Sequence, residues 1–144
     1  MNTPVDSAPD VAIVLPARPE NVAIVRHILA AMGAALGMDA EAQAQLRLAA
    51  SEACTNVVVH AYRSVAEGLL EVDAASDGSL LHVTVRDRGR GLRPRPDSPG
   101  LGLGLPLIAA LTRSMEVGSP QDDSDGNEVR MAFLLTSPAV RDHA

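Results

Sequence analysis

The segment SEACTNVVVHAY, residues 51–62, carries polar side chains at regular intervals. It closes a run rich in Ala, Glu, Gln, Leu and Arg, which are strong helix formers, and Asp39 stands where a helix N-cap is expected. On a helix, Glu52, Asn56 and His60 follow one another at i, i+4 steps and therefore project from one side. The same spacing is typical of a row of solvated polar residues, so this segment alone leaves both interpretations open.

A second motif, DRGRG at residues 87–91, follows a predicted strand at residues 80–86. A carboxylate at the end of a strand can accept a hydrogen bond from an adenine amino group, which makes Asp87 a candidate site residue. Glycines beside it allow the backbone to approach an aromatic ring closely. The pattern Asp-x-Gly-x-Gly is also an ordinary turn sequence, so it does not by itself require a ligand.

The third motif, GLGLGLP at residues 100–106, precedes a predicted helix at residues 105–113. Backbone N–H groups without neighbouring side chains, together with the positive end of a helix dipole, can bind phosphate groups. A single glycine-rich loop would be weak support for a phosphate site. Its position after the other two motifs makes the combination more specific.

The remaining pattern predicts one α/β domain in the order β-α-α-β-β-α-β-β, a two-layer sandwich. The first helix begins at Pro19 and ends near Gly37, and an Asp-Gly pair at residues 77–78 indicates a hairpin turn. The predicted units are a disordered N-terminus at residues 1–10, a domain at 11–136 and a tail at 137–144. The strands are predicted at residues 11–16, 69–75, 80–86, 115–118 and 129–136.

Composition excludes several functions. The formal net charge of -6 argues against direct nucleic-acid binding. All 12 basic residues are Arg, so the chain has no lysine for a P-loop or a Schiff base. The single cysteine, Cys54, is expected to pack as a small buried residue. The N-terminal residues do not resemble a signal peptide and no apolar run is long enough to cross a membrane, so we expect a soluble cytoplasmic protein with no membrane contact.

In this order and spacing, the three motifs resemble the N, G1 and G2 boxes of the GHKL ATPase superfamily. From residue 11 to residue 135, the chain resembles the bacterial anti-sigma-factor serine/threonine kinases within that superfamily. The resemblance implies the histidine-kinase-like (Bergerat) ATP-binding fold, with a mixed, mainly antiparallel sheet packed against helices. It also implies ATP and Mg²⁺ as cofactors.

The resemblance further implies a role for each matching residue. Glu52 is the expected general base, Asn56 the magnesium ligand through its side-chain oxygen, and Asp87 the residue that recognises adenine. A short lid over the nucleotide is expected at residues 92–99. Glycines are expected to line the base pocket (Gly89 and Gly91) and to hold the phosphates (Gly100, Gly102 and Gly104).

One departure from the family concerns Gly126 and Asn127, because the family commonly has Gly-Thr before the last strand. Asn127 can still form hydrogen bonds to a nucleotide, and it is retained as a cofactor-binding candidate. A local basic cluster consists of the arginines at 86, 88, 90, 93 and 95. Two interpretations of the cluster stay open, contact with phosphate or a partner and a solvated loop.

The partners implied are a sigma factor held inactive and a STAS-fold antagonist phosphorylated on serine or threonine, and homodimerisation is expected. The alternative is a catalytically silent module that binds ATP only to stabilise a protein-docking surface. A detached histidine-kinase ATPase half is disfavoured, because a phosphoacceptor hairpin would have to fit before Val11 and the lid would usually be longer.

Overall fold

The computed structural model describes residues 8–62, 68–89 and 104–135. The predicted lid, the predicted tail at 137–144 and all but residues 8–10 of the predicted disordered start lie outside these ranges. The elements follow the predicted order. Helices are α1 (Pro19–Ala35), α2 (Ala40–Asn56), a π-helical segment (Val57–Ala61) and α3 (Gly104–Leu111). Strands are β1 (Val11–Pro16), β2 (Leu69–Ser76), β3 (Leu80–Asp87), β4 (Ser114–Gly118) and β5 (Asn127–Leu134).

The five strands form one sheet in the order β1-β2-β3-β5-β4. The helices and the single sheet confirm the predicted α/β fold class. Every pairing between the described strands is antiparallel, so the parallel pair that a mixed sheet would contain is not found among them. The central pairing sets Asp87 at the end of β3 opposite Asn127 at the start of β5. This register determines which residues meet at the candidate site.

Alternate residues along the strands divide the sheet into two faces. One face carries Leu70, Val72, Leu81, Val83 and Val85, which are buried in the core that the sheet shares with the helices. Phe133 is the only aromatic side chain among the buried core residues of the described ranges, so the packing is mainly aliphatic, as the composition predicts. The opposite face carries charged residues of β2, β3 and β5.

Local signals explain most element boundaries. Asp39 accepts a hydrogen bond from the Ala42 N–H at 2.8 Å, which confirms it as the N-cap of α2. Gly37 has φ +93° after α1, and Gly78 has φ +96° in the β2–β3 turn, so both adopt conformations that favour glycine. The predicted helix reaching Tyr62 instead changes to π-helical winding after Asn56, over residues that include three consecutive valines.

Cys54 is fully buried on α2, and burial raises the pKa of its thiol to about 12. A thiol in this state stays protonated and unreactive at neutral pH, in agreement with a packing role. Within the described ranges, no helix has the length and apolar character needed to cross a membrane.

Candidate nucleotide site

The first half of the site forms where α2 meets the N-terminus of α3. Glu52 and Asn56 lie one turn apart on α2, and Gly104 is the first residue of α3. A Cβ at Gly104 would lie 3.3 Å from Asn56 Nδ2 and 3.7 Å from Glu52 Oε2. The third motif therefore reaches the first one directly, and the absence of a side chain at residue 104 allows the close contact.

The carboxamide of Asn56 has an unused hydrogen-bonding atom. Its Nδ2 is buried, and no described residue accepts a hydrogen bond from it. Because an unsatisfied buried donor costs about 1–3 kcal/mol, such an atom suits a site where a ligand completes the bonding. A phosphate oxygen beside the N-terminus of α3 would supply an acceptor.

The residues present also fit a magnesium ion that arrives with the nucleotide. Within the described residues, no group of three or more His, Cys, Asp or Glu side chains could hold a metal by itself. Mg²⁺ usually takes one or two protein ligands and completes its octahedron with phosphate and water oxygens. A single amide oxygen from Asn56 is consistent with that mode of binding.

Asp87 forms the second half of the site. It is 5% exposed at the end of β3, on the face of the sheet that packs against the helices. Burial raises the pKa of its carboxyl group above the usual value of 3.8, and hydrogen bonds from Gly89 and Asn127 partly oppose that rise. The Gly89 N–H donates to Asp87 Oδ1 at 3.0 Å.

Asn127 is 6% exposed, and its backbone and side-chain N–H groups donate to the Asp87 carboxylate. The preceding residue, Gly126, has φ +121°, and a Cβ there would overlap the carbonyl oxygen of Asp87. The pair Gly126-Asn127 thus packs against Asp87 rather than standing apart from it. Its contact with a nucleotide remains a prediction.

The turn after Asp87 is attached to the end of the helix that carries Glu52 and Asn56. A Cβ at Gly89 would overlap the carbonyl oxygen of Ala61, so this glycine is required by the chain's own packing. Tyr62, the next residue, accepts a hydrogen bond from the Arg88 N–H at 2.8 Å and donates one to the Leu69 carbonyl at 2.7 Å. No local pattern in the sequence predicts this role for Tyr62, although the residue ends the motif SEACTNVVVHAY.

Two arginines of the predicted basic cluster are paired inside the chain. Arg86 contacts Glu128 at 2.7 Å, Asp73 at 3.2 Å and Glu71 at 3.3 Å on the outer face of the sheet. Arg88 contacts Glu71 at 2.8 Å and Asp122 at 3.0 Å. Neither side chain therefore belongs to a merely solvated loop, and their charges are engaged by carboxylates.

Several predicted site residues lie outside the described residues. These are Gly91, Gly100, Gly102, the lid at residues 92–99, and the arginines at 90, 93 and 95. The structure brings together Glu52, Asn56 and Gly104 in one place. It brings Asp87, Gly89 and Asn127 together in another, at the end of the same helix.

Comparison with known proteins agrees with this geometry. A serine-protein kinase RsbW from Bacillus velezensis is 37% identical over 89 residues, which cover 62% of this chain and 54% of that protein. An anti-sigma F factor from Geobacillus stearothermophilus is 32% identical over 76 residues, covering 53% of this chain and 52% of that protein. The chain thus spans about half the length of these curated relatives.

The family model for the histidine kinase-like ATPase domain matches residues 15–133. That match includes all three motifs and both halves of the site. It confirms the predicted superfamily, and an ATPase domain implies ATP binding. The chain therefore belongs to the histidine kinase-like ATPase domain family.

Proposed function

We propose that this protein is an ATP-dependent serine/threonine kinase of the anti-sigma-factor type, which phosphorylates a STAS-fold antagonist and sequesters a sigma factor. The observation that carries the proposal is the position of Gly104, where an added Cβ would lie 3.3 Å from Asn56 Nδ2 and 3.7 Å from Glu52 Oε2. It sets a carboxylate and an amide beside the N-terminus of a helix. We assign to these groups the roles of base, metal ligand and phosphate site, which phosphoryl transfer needs close together.

At the phosphate end, the first N–H groups of α3 would bind phosphate oxygens, because the helix dipole favours negative charge there. Gly104 keeps this approach open because it has no side chain. Asn56 would hold Mg²⁺ through Oδ1, and the ion would supply charge neutralisation on the phosphate oxygens. The buried Nδ2 of the same residue is then available to a phosphate oxygen.

Glu52 is the proposed general base. Its carboxylate accepts the proton of a serine or threonine hydroxyl as the hydroxyl oxygen bonds to the γ-phosphorus of ATP. The bond from that phosphorus to the bridging oxygen breaks, and ADP leaves with the bond electrons. A positioned base of this kind typically contributes about 10²- to 10⁴-fold to the rate.

At the adenine end, the ionised carboxylate of Asp87 accepts a hydrogen bond from the amino group of the base. Its acceptor capacity is only partly used by Gly89 and Asn127, because a carboxylate offers about four lone-pair sites. The glycine at residue 89 keeps the adjoining backbone close to Ala61.

The names of similar proteins support the proposed protein partners. Proteins named anti-sigma F factor and serine-protein kinase RsbW are similar to this chain over about half of their lengths. We propose a sigma factor as the sequestered partner, a STAS-fold protein as the phosphoacceptor, and a homodimer as the working form. The net charge of -6 is in keeping with protein partners rather than nucleic acid.

The test is phosphoryl transfer from ATP labelled at the γ-phosphate to STAS-fold proteins of the same genome, with and without Mg²⁺. We expect transfer by the wild type, loss of about 10²- to 10⁴-fold in Glu52→Gln, and retained ATP binding in that variant. Glu41→Gln is the matched control, because Glu41 is exposed in the first turn of the same helix.

The alternative function is a binding module in which ATP only stabilises a docking surface. It predicts Mg-dependent ATP binding and sigma-factor binding with no transfer to any STAS-fold protein, and the same behaviour in Glu52→Gln. The carboxylate beside Gly104 favours the kinase, since a module without chemistry has no need of a base there.

A further inference from the structure

Tyr62 joins three separate parts of the chain. It follows the π-helical segment that extends α2, and its hydroxyl bridges Leu69 at the start of β2 and Arg88 just after β3. Both hydrogen bonds go to backbone atoms, at 2.7 Å and 2.8 Å. The hydroxyl is the atom through which the helix of Glu52 and Asn56 is hydrogen-bonded to the turn that follows Asp87.

The ring of Tyr62 is held as closely as its hydroxyl. A Cβ at Gly68 would overlap ring atoms, and a Cβ at Gly89 would lie 3.1 Å from Cδ1. The ring thus packs against two glycines, one before β2 and one after β3, where a side chain would crowd it. Because the ring is fixed, the hydroxyl presents a defined direction to the Arg88 N–H.

We propose that Tyr62 is a positioning residue that sets adenine specificity by holding the turn Asp87-Arg88-Gly89 against the π-helical segment that extends α2. The inference rests on the proposed role of Asp87 in adenine recognition. Arg88 is bonded directly to Asp87 in the chain, so a shift of its N–H group moves the Asp87 backbone and re-aims the carboxylate. Burial raises the pKa of the Tyr62 hydroxyl, and the negative charge of Asp87 adds to that rise.

Specificity is the property that this arrangement should control. Adenine offers an amino group to Asp87, whereas hypoxanthine has a carbonyl oxygen at the same ring position and would face the carboxylate as a second acceptor. A firmly held carboxylate favours ATP over inosine triphosphate. A turn that can move accommodates the carbonyl and discriminates less.

The experiment measures dissociation constants for Mg·ATP and Mg·ITP by titration calorimetry in the wild type, Tyr62→Phe and Thr112→Ala. Phenylalanine keeps the ring and removes only the hydroxyl. Thr112 follows the last residue of α3, and its hydroxyl donates to the Ile108 carbonyl at 2.9 Å. Thr112→Ala is the control, because it also removes one hydrogen-bonded hydroxyl but lies outside the site.

We expect the preference for ATP to fall about five- to tenfold in Tyr62→Phe, the equivalent of one hydrogen bond, and to stay unchanged in Thr112→Ala. Equal weakening of both nucleotides in Tyr62→Phe, or no change in either, would overturn the positioning role while leaving the kinase proposal intact. A wild type that binds both nucleotides equally would contradict the adenine role of Asp87 and this inference with it.

A second measurement does not depend on the folding of a variant. Tyr62 is the only tyrosine of the chain, so ¹³C-tyrosine labelling gives one Cζ resonance. We expect Mg·ATP to shift this resonance more than Mg·ITP does, because only adenine engages the carboxylate beside it. Identical shifts with the two nucleotides would count against the proposal.

Discussion

The carboxylate of Asp87 and the N–H groups of Asn127 form a buried pair across the β3–β5 ladder. Both residues are almost inaccessible to water, at 5% and 6% exposure. The carboxylate that is proposed to recognise adenine is therefore oriented by a residue at the position where the resembling kinases commonly have threonine.

Asn127→Ala should destabilise the protein by about 1–3 kcal/mol at neutral pH and weaken ATP binding, because a buried carboxylate loses a donor. Asn127→Thr should restore most of both losses, since its hydroxyl can donate to the same carboxylate. Urea unfolding and ATP titration measure the two effects. If Asn127→Thr loses as much stability and ATP affinity as Asn127→Ala, the side-chain hydrogen bond to Asp87 is not the cause of these losses.

ATP affinity should decline on acidification at a higher pH than an ordinary aspartate would produce. Burial raises the pKa of Asp87 above 3.8, and the proposed contact with adenine needs the ionised carboxylate, so affinity is full above the raised pKa and falls below it. Calorimetric titration over a pH series, above the onset of acid unfolding, tests this.

Asp87→Asn provides the control for that pH dependence. It should bind ATP more weakly at neutral pH and show a flatter pH profile, because its side chain does not titrate. The raised pKa means that ionisation of Asp87 opposes folding as pH rises through that pKa, so the stability of Asp87→Asn should depend less on pH in that range than that of the wild type. A profile as steep as that of the wild type would assign the titration to another group.

Gly104→Ala should keep the fold and weaken Mg·ATP binding about tenfold, or ~1.4 kcal/mol. Its Cβ would lie 3.3 Å from Asn56 Nδ2, a contact that displaces the carboxamide without a severe clash. Gly33→Ala is the contrasting variant, since its Cβ would meet Met38 Sδ at 2.8 Å in the core. Gly33→Ala should reduce stability and leave nucleotide affinity unchanged in the folded protein.

Gly126→Ala should destabilise the protein much more than Gly78→Ala, although both glycines have positive φ. At Gly78 no atom lies within 4 Å of the added Cβ, so only the conformational cost of about 1–2 kcal/mol applies. At Gly126 the Cβ would also overlap the Asp87 carbonyl, which should raise the loss to about 3 kcal/mol or more. Equal losses in urea unfolding would show that the contact with Asp87 relaxes easily.

Glu71→Gln should reduce the free energy of unfolding by only about 1–2 kcal/mol at neutral pH, because solvent partly screens the ion pairs of Glu71 with Arg86 and Arg88. Hydrogen bonding to Arg88 is the main cause that lowers the pKa of Glu71 below 4.5, so its stabilisation is complete above pH 4.5 and is lost as pH falls through the lowered pKa. The difference from wild type should therefore vanish in acid.

The control for Glu71 is Glu116→Gln on the edge strand β4. Glu116 is 76% exposed and lies 3.7 Å from Arg130, so its loss should change stability little at any pH. Similar effects of the two substitutions would mean that the paired carboxylates on the outer face contribute no more than a surface ion pair.

Much of the fold could be predicted from local sequence. The order of elements, the N-cap at Asp39, the glycine after α1 and the Asp-Gly hairpin all depend on interactions within a few residues, and the structure confirms them. The i, i+4 spacing of Glu52 and Asn56 likewise follows from helix geometry alone. For the same reason the three motifs were sufficient to indicate the family that the comparison confirms.

The strand order, the contact of Gly104 with Asn56, and the fastening of the Asp87 turn by Tyr62 were decided only by the tertiary structure. The last two join residues 48 and 26 positions apart, and no local propensity specifies which distant atom a glycine or a hydroxyl will meet. Burial in the folded chain raises the pKa of Asp87. The register of β3 and β5 places Asn127 opposite that residue. The sequence thus determined which residues can take part in nucleotide chemistry, and packing determined which of them meet, because desolvation and contact exist only once the chain has closed on itself.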